Sequence, residues 1–241
     1  MDSAIVTTPD GARLHVGVCG AGPDVVVLSG GPGAVHYLES DELAPQGFRA
    51  WFPEPRGVGR SGGGPHTMAH AVADLEEVRR AAGIERWTVL GHSWGSDLAV
   101  RYALDRPESV VQVVGIAGHG LHKDRSWSAE YEAGKAADPG PDIAWSAEVY
   151  AALQESFLDW IHEPGLWRGL ADSRVPMAFL AAGADIRPSW PLAQLAELVP
   201  GGRLETVPDV PHDFWQTHPE LWREVVTAAC RRPEFGPSHS L

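Results

Sequence analysis

The chain of 241 residues is poor in cysteine, in basic charge and in long apolar runs. Its two cysteines, Cys19 and Cys230, stand far apart and without C-x-x-C spacing. That speaks against a disulfide framework and a thiolate zinc site, and reads as two buried thiols. Lys and Arg number 19 against 32 Asp and Glu, a formal charge of -13. Such a balance repels phosphate backbones and anionic lipid, so neither nucleic acid nor membrane is expected as a partner. No run approaches the roughly 18 apolar residues that a membrane span requires, and Met1 to Asp10 carries no basic or apolar leader pattern. The expectation is a cytoplasmic protein. What the chain does have is 44% hydrophobic and 21% charged residues, enough apolar surface for a substantial core. Its length suits one α/β domain with an insertion.

The stretch that organises the rest is Trp87 to Gly95, a short β-branched and apolar run that stops at Gly91-His92-Ser93-Trp94-Gly95. G-x-S-x-G after a strand and before a helix is the nucleophile elbow, a turn so sharp that the serine hydroxyl stands exposed at its apex. Leu98, Ala99, Tyr102 and Ala103 supply helical spacing over Ser96 to Asp105, and Pro107 forbids continuation.

Upstream, Ala4–Thr8 and Arg13–Val18 alternate around Pro9-Asp10-Gly11 and predict an antiparallel hairpin at a sheet edge. Val25 to Leu28 is continuously apolar, as a central strand is. Ser29-Gly30-Gly31-Pro32-Gly33 follows it, a loop whose N–H groups no side chain obstructs. Acyl transfer needs two fixed donors where charge develops on the carbonyl oxygen, and the Gly31 and Trp94 N–H groups are the candidate pair. Arg49 to Pro53 predicts another strand, followed by Gly57-Val58-Gly59-Arg60-Ser61-Gly62. This G-x-G-x-x-G opens no helix, and Asp74, Glu76 and Glu77 fall within a helical pattern rather than at a strand end, so a dinucleotide site is rejected for a rigid, arginine-stabilised loop. Met68, Val72, Leu75 and Val78 mark an amphipathic helix over Thr67 to Ala82, and Val110 to Ile116 another central strand.

Residues 118–175 lose the strand–helix rhythm and hold four of the ten tryptophans, with helices expected near Ala129–Ala137 and Trp145–Ile161. An aromatic, helical insertion over a parallel sheet reads as a lid. It carries ten Asp and Glu against five Lys and Arg, which favours a cationic substrate or a solvated surface. His119, His122 and Asp124 form one weak cluster of metal-ligand types, and no metal is expected. The core is thus 1–117 and 176–230, with 231–241 a flexible tail and Pro219 to Cys230 a closing helix. Val175–Ala182 and Arg203–Val207 are the last strands, followed by Asp185 and His212. Functional groups of open α/β sheets gather at the carboxyl ends of strands, so Ser93, Asp185 and His212 share one rim in the order Ser, Asp, His.

Together these segments resemble the α/β-hydrolase superfamily, and within it the proline iminopeptidase-like branch. The resemblance rests on Ser29-Gly30-Gly31-Pro32-Gly33, Arg56-Gly57-Val58-Gly59-Arg60-Ser61 and Gly91-His92-Ser93-Trp94-Gly95-Ser96. It implies a mostly parallel, twisted sheet with helices on both faces. Three departures stand out: Ser29 occupies the place of a loop histidine, Glu54 that of an aspartate, and the W-x-x-W-E motif of the lid is absent. Chemistry assigns His212 as the base that takes the Ser93 proton, and Asp185 as the group that orients it. Asp209 and Asp213 lie too close along the chain to His212 for that task, and His92 reads as structural. An elbow aspartate would suit an epoxide hydrolase or a haloalkane dehalogenase, which the serine disfavours. The expectation is a cofactor-free hydrolase of a small-molecule or short-peptide substrate, proline iminopeptidase-like, with a carboxylesterase or lactonase, or a non-catalytic binding protein, as alternatives.

Overall fold

A computed structural model describes residues 1–122, 124–138 and 140–231. Eight strands form one sheet: β1 (Asp2–Thr7), β2 (Arg13–Gly20), β3 (Asp24–Leu28), β4 (Arg49–Pro53), β5 (Trp87–His92), β6 (Val110–Ile116), β7 (Met177–Ala182) and β8 (Arg203–Val207). Their order is β1-β2-β4-β3-β5-β6-β7-β8. The β1–β2 and β2–β4 pairs are antiparallel, and all others are parallel. The expected hairpin therefore does lie at an edge. Every residue of β5 and β7 is buried, which is why these segments read as unbroken apolar runs.

The order β4-β3-β5 has a physical consequence. The chain leaves β3 toward one side for β4 and returns to its other side for β5, so the loops after β3 and β5 diverge and leave a crevice between them. Gly30 to Gly33 follows β3 and Ser93 follows β5, so both flank that crevice.

Helices α1 (Met68–Ala81) and α2 (Trp94–Asp105) cover one face, where Val72, Leu75, Leu98 and Ala99 pack on Val26 and Val89. On α1, the Thr67 side chain accepts the His70 N–H as its N-cap. The insertion contributes α3 (Arg125–Gly134), α4 (Ala147–Ile161) and α5 (Leu166–Ala171). The α3 helix starts at Arg125, earlier than the periodicity suggests, because Asp124 Oδ1 caps it by accepting the Trp127 N–H at 2.8 Å. Val149, Leu153, Phe157 and Trp160 of α4 join the same apolar cluster as α1 and α2. Helix α6 (Trp190–Leu198), which the sequence reading left out along with α5, also lies on this face.

Helices α7 (Phe214–Thr217) and α8 (Pro219–Cys230) cover the opposite face, with Trp222 and Val226 against Leu38, Phe48 and Phe52. Burying side chains of this size contributes about 1.5–3 kcal/mol each. Cys19 and Cys230 are both buried and both raised to a pKa of about 12, chiefly by burial, which keeps them protonated and unreactive. The expected tail falls, beyond Arg231, outside the described residues.

Between β4 and α1 the glycine-rich segment is held by charge. Arg56 Nε and Nη2 grip Asp74 at 3.0 and 2.5 Å, and Nη1 reaches Asp10 at 2.5 Å and the Gly64 carbonyl at 2.9 Å. The Arg60 N–H and guanidinium bind Glu54. A two-pronged guanidinium at 6% side-chain exposure fixes the loop in place.

Candidate active site

The elbow follows from local sterics. Ser93 sits at φ 55° and ψ -129°, a conformation that costs a non-glycine residue about 1–3 kcal/mol. It persists because the turn is packed on both sides. A Cβ at Gly91 would lie 2.1 Å from the Gly95 carbonyl oxygen, and one at Gly95 would lie 2.5 Å from that of Leu28. Only glycine permits so close an approach of β5, α2 and β3. The Ser93 N–H is bound to the Ile116 carbonyl at 2.8 Å, which anchors the turn to β6.

Three residues from three strand ends meet at this apex. His212 Nε2 lies 3.0 Å from Ser93 Oγ, and His212 Nδ1 lies 2.5 Å from Asp185 Oδ2. Asp213 and Asp209 do not take that place: Asp213 Oδ1 accepts the Trp215 indole N–H, and Asp209 occupies a turn at φ 57°. An ionised carboxylate only accepts, so Nδ1 of His212 carries the hydrogen and Nε2 faces the serine as an acceptor. Burial by itself would raise the Asp185 pKa. The hydrogen bond from His212 and the charges of His212 and Arg187 outweigh it and bring the pKa to about 2. Asp185 is therefore ionised across the neutral range and accepts the Nδ1 hydrogen of His212.

Arg187 is a residue that the sequence reading missed. Its backbone N–H and its Nη1 both donate to Asp185 Oδ1, each at 2.9 Å. Nη1 also reaches Asp138 at 3.2 Å, and the guanidinium covers the Tyr131 ring at 5.1 Å. The D-x-R spacing was the available signal, since a side-chain carboxylate commonly accepts the N–H two residues on. The reach to Asp138 had no local sign.

Tyr37 was missed as well, and it links the two halves of the crevice. The Gly30 N–H donates to Tyr37 Oη at 2.7 Å, Tyr37 Oη lies 2.7 Å from His92 Nδ1, and His92 Nε2 lies 3.0 Å from the His212 carbonyl. A carbonyl only accepts, so His92 Nε2 donates; burial holds the His92 pKa well below its usual value, so the ring is neutral and its Nδ1 accepts from Tyr37. The structural reading of His92 thus acquires specific partners. Tyr37→Phe leaves both the Gly30 N–H and His92 Nδ1 unpaired. At about 1–3 kcal/mol per orphaned buried group, it is expected to lower unfolding stability by about 2–6 kcal/mol in urea. An unchanged denaturation midpoint would show that this chain of bonds holds nothing together.

Candidate oxyanion donors are present. Gly31 lies in the turn after β3, and Trp94 is the first residue of α2, where an N–H has no intrahelical acceptor. Among the described residues no backbone or side-chain acceptor meets either N–H. The Gly30 N–H, by contrast, is occupied by Tyr37.

The histidines of the insertion go separate ways. His119 Nδ1 lies 3.4 Å from the buried Asp97, and its ring lies nearly parallel to that of His212, with centroids 6.4 Å apart. His122 Nδ1 approaches Gln194, and Asp124 caps α3. The cluster of metal-ligand types is thus dispersed. His92, His212 and Asp213 do bring ligand atoms within 4.8 Å of one another. Both nitrogens of each of those imidazoles are already hydrogen-bonded, so the donor set does not suit a metal.

Comparison with known proteins identifies the fold family. A family model described as the alpha/beta hydrolase fold matches residues 23–158. A proline iminopeptidase of Xylella fastidiosa is 37% identical over 139 residues, 54% of this chain and 43% of that protein. The chain spans less than half the length of the curated proline iminopeptidases it matches. In overall shape it is similar to an esterase from Exiguobacterium antarcticum, with TM-score 0.74 at 19% identity, covering 95% of this chain and 100% of that one. It is also similar to a proline iminopeptidase of Mycobacterium smegmatis, with TM-score 0.71 at 20% identity, covering 96% and 98%. The chain belongs to the alpha/beta hydrolase fold family.

Proposed function

We propose that the protein hydrolyses a small ester or amide through an acyl intermediate on Ser93. His212 takes the serine proton as Ser93 Oγ attacks the carbonyl carbon, then gives that proton to the leaving amine or alcohol; water enters by the reverse of the same steps. Asp185 holds the imidazole in the required tautomer and stabilises its cation. The Gly31 and Trp94 N–H groups meet the negative oxygen of each tetrahedral intermediate. The observation that carries this reading is the relay from Ser93 Oγ through His212 to Asp185, with distances of 3.0 and 2.5 Å.

Two substrate classes divide this reading. Similarity to proline iminopeptidases favours a free N-terminal amine on the substrate. A specific observation favours an uncharged ester instead: Glu130, Glu148 and Glu155, the insertion carboxylates suited to an amine, are all exposed to solvent. We assign residues 118–175 the role of lid. Ala34 pairs with Trp145, and the Ser146 N–H donates to the Gly33 carbonyl, so the insertion is tied to the loop that carries Gly31.

The test compares proline p-nitroanilide with p-nitrophenyl acetate, using Ser93→Ala as the blank. Turnover of the anilide that is lost when its amine is blocked identifies an aminopeptidase. Turnover of the ester alone identifies a carboxylesterase-like enzyme. Turnover of neither, across a range of acyl groups, identifies a binding protein that has kept the fold.

A further inference from the structure

Beside the elbow, on the α1 side, lies a cavity of about 60 Å³ with Leu14, Leu28, Leu75, Leu98 and Leu153 in its wall. A single water needs about 10–15 Å³ of such space, so a group of several heavy atoms fits. Ser29 and Trp94 also face it, and these two residues adjoin Gly30–Gly31 and Ser93 in the chain. The cavity is therefore next to both segments that carry the candidate oxyanion donors.

Three wall residues bring polar atoms that are buried and have no hydrogen-bond partner among the described residues: Ser29 Oγ, His66 Nδ1 and Trp94 Nε1. Ser29 and Trp94 are only 5% and 3% exposed. An indole N–H can only donate, and burial without an acceptor is unfavourable, so an acceptor atom in the cavity would restore what Trp94 lacks. The hydroxyl of Ser29 is free to take either role. The charges at the margin offer nothing to an ion, because Arg56 is bound by Asp74 and Asp10, and Glu54 by Arg60. Apolar walls with a few convergent polar groups are the ordinary make-up of a small-molecule site.

We propose that this cavity binds a compact, uncharged group with a short apolar body and one carbonyl or ether oxygen, the oxygen accepting from Trp94 Nε1. Such a group arrives either as the far end of the substrate held at Ser93 or as a separate small molecule. The site is independent of the acyl-serine reading, since occupancy requires no turnover.

Butanone is a suitable probe. In the Ser93→Ala protein, labelled with ¹⁵N, the indole N–H resonances of the ten tryptophans are followed as butanone is added, with Trp94→Phe identifying the one from Trp94. The expected result is a saturable shift of that resonance below about 100 mM butanone, the range open to a ligand of five heavy atoms. Ala71→Leu, which places three more carbons in the cavity wall, is expected to weaken the effect at least tenfold. A Trp94 resonance that does not move overturns the proposal, and so does a folded Ala71→Leu protein that binds as well as its parent. The Trp94 titration is decisive by itself if the larger side chain disturbs folding. With Ser93 intact, competitive inhibition of p-nitrophenyl acetate hydrolysis assigns the cavity to the substrate's own tail, and inhibition or activation that leaves KM unchanged assigns it to a separate molecule.

Discussion

Ser93→Ala is expected to lower kcat by about 10⁶-fold, His212→Ala by a similar factor, and the double replacement by little more than either. The reason is that the two side chains act as one unit. Ser93 Oγ is nucleophilic only while His212 Nε2, 3.0 Å away, can take its proton, and His212 has nothing to activate once the hydroxyl is gone. A residual rate about 10³–10⁴ above the uncatalysed reaction is expected in all three variants, because the Gly31 and Trp94 N–H groups remain. Steady-state kinetics on the better of the two p-nitrophenyl substrates decides the matter. Single variants within tenfold of the parent, or two losses that multiply in the double variant, would exclude the acyl-serine mechanism. KM is expected to change little, since neither side chain is placed to hold the resting substrate.

The second large effect is expected from Asp185→Asn, a loss of about 10⁴ in kcat with the fold intact. The structure explains why so small a change costs so much. The backbone N–H and Nη1 of Arg187 both donate to Asp185 Oδ1. An amide at this position must turn its oxygen toward those two donors, which leaves its NH₂ group facing His212 Nδ1. That nitrogen is then forced to accept, the ring hydrogen moves to Nε2, and Nε2 can no longer take the Ser93 proton. Arg187→Met in the same chain removes only the side-chain donor, and the backbone N–H still holds the amide oxygen, so the double variant is expected to stay within about tenfold of Asp185→Asn alone. A histidine side-chain NMR spectrum reads the tautomer directly. If it stays unchanged in Asp185→Asn while the rate falls, or if Arg187→Met restores the parent rate, the orientation argument is wrong.

These effects also show where the sequence was readable. Arg49–Pro53, Val110–Ile116 and Arg203–Val207 are strands with the bounds their apolar or β-branched runs indicate, and Pro219–Cys230 is the closing helix. Val110–Ile116 is legible because a central strand must be apolar on both faces, Pro219–Cys230 because an amphipathic helix is apolar on one, and Arg203–Val207, at the sheet edge, by apolar and β-branched residues set among polar ones. The elbow is legible for a related reason: its glycines answer a steric demand within five residues of chain. Ser93, Asp185 and His212 could be picked out together because each follows a parallel strand, and parallel strands bring their carboxyl ends to one rim. The onset of α3 was displaced for lack of weight given to Asp124, a local cap that outranks periodicity at a helix start. Helices α5 and α6 escaped notice because six and nine residues are too few for a repeat to declare itself.

Other features belong to the tertiary structure alone. Tyr37 and His92 are 55 residues apart, and Arg187 and Asp138 are 49 apart, so no window of sequence contains both partners. The cavity beside Trp94 is a shape enclosed by β2, β3, α1, α2 and α4, and its unpaired donors are defined by what fails to reach them. The sequence by itself determined the strands, the longer helices and the residue types that meet on the rim, because those follow from local sterics and from the period of apolar side chains. Only the folded chain decided which lone pair faces which hydrogen, because that depends on how segments distant along the backbone approach one another in space.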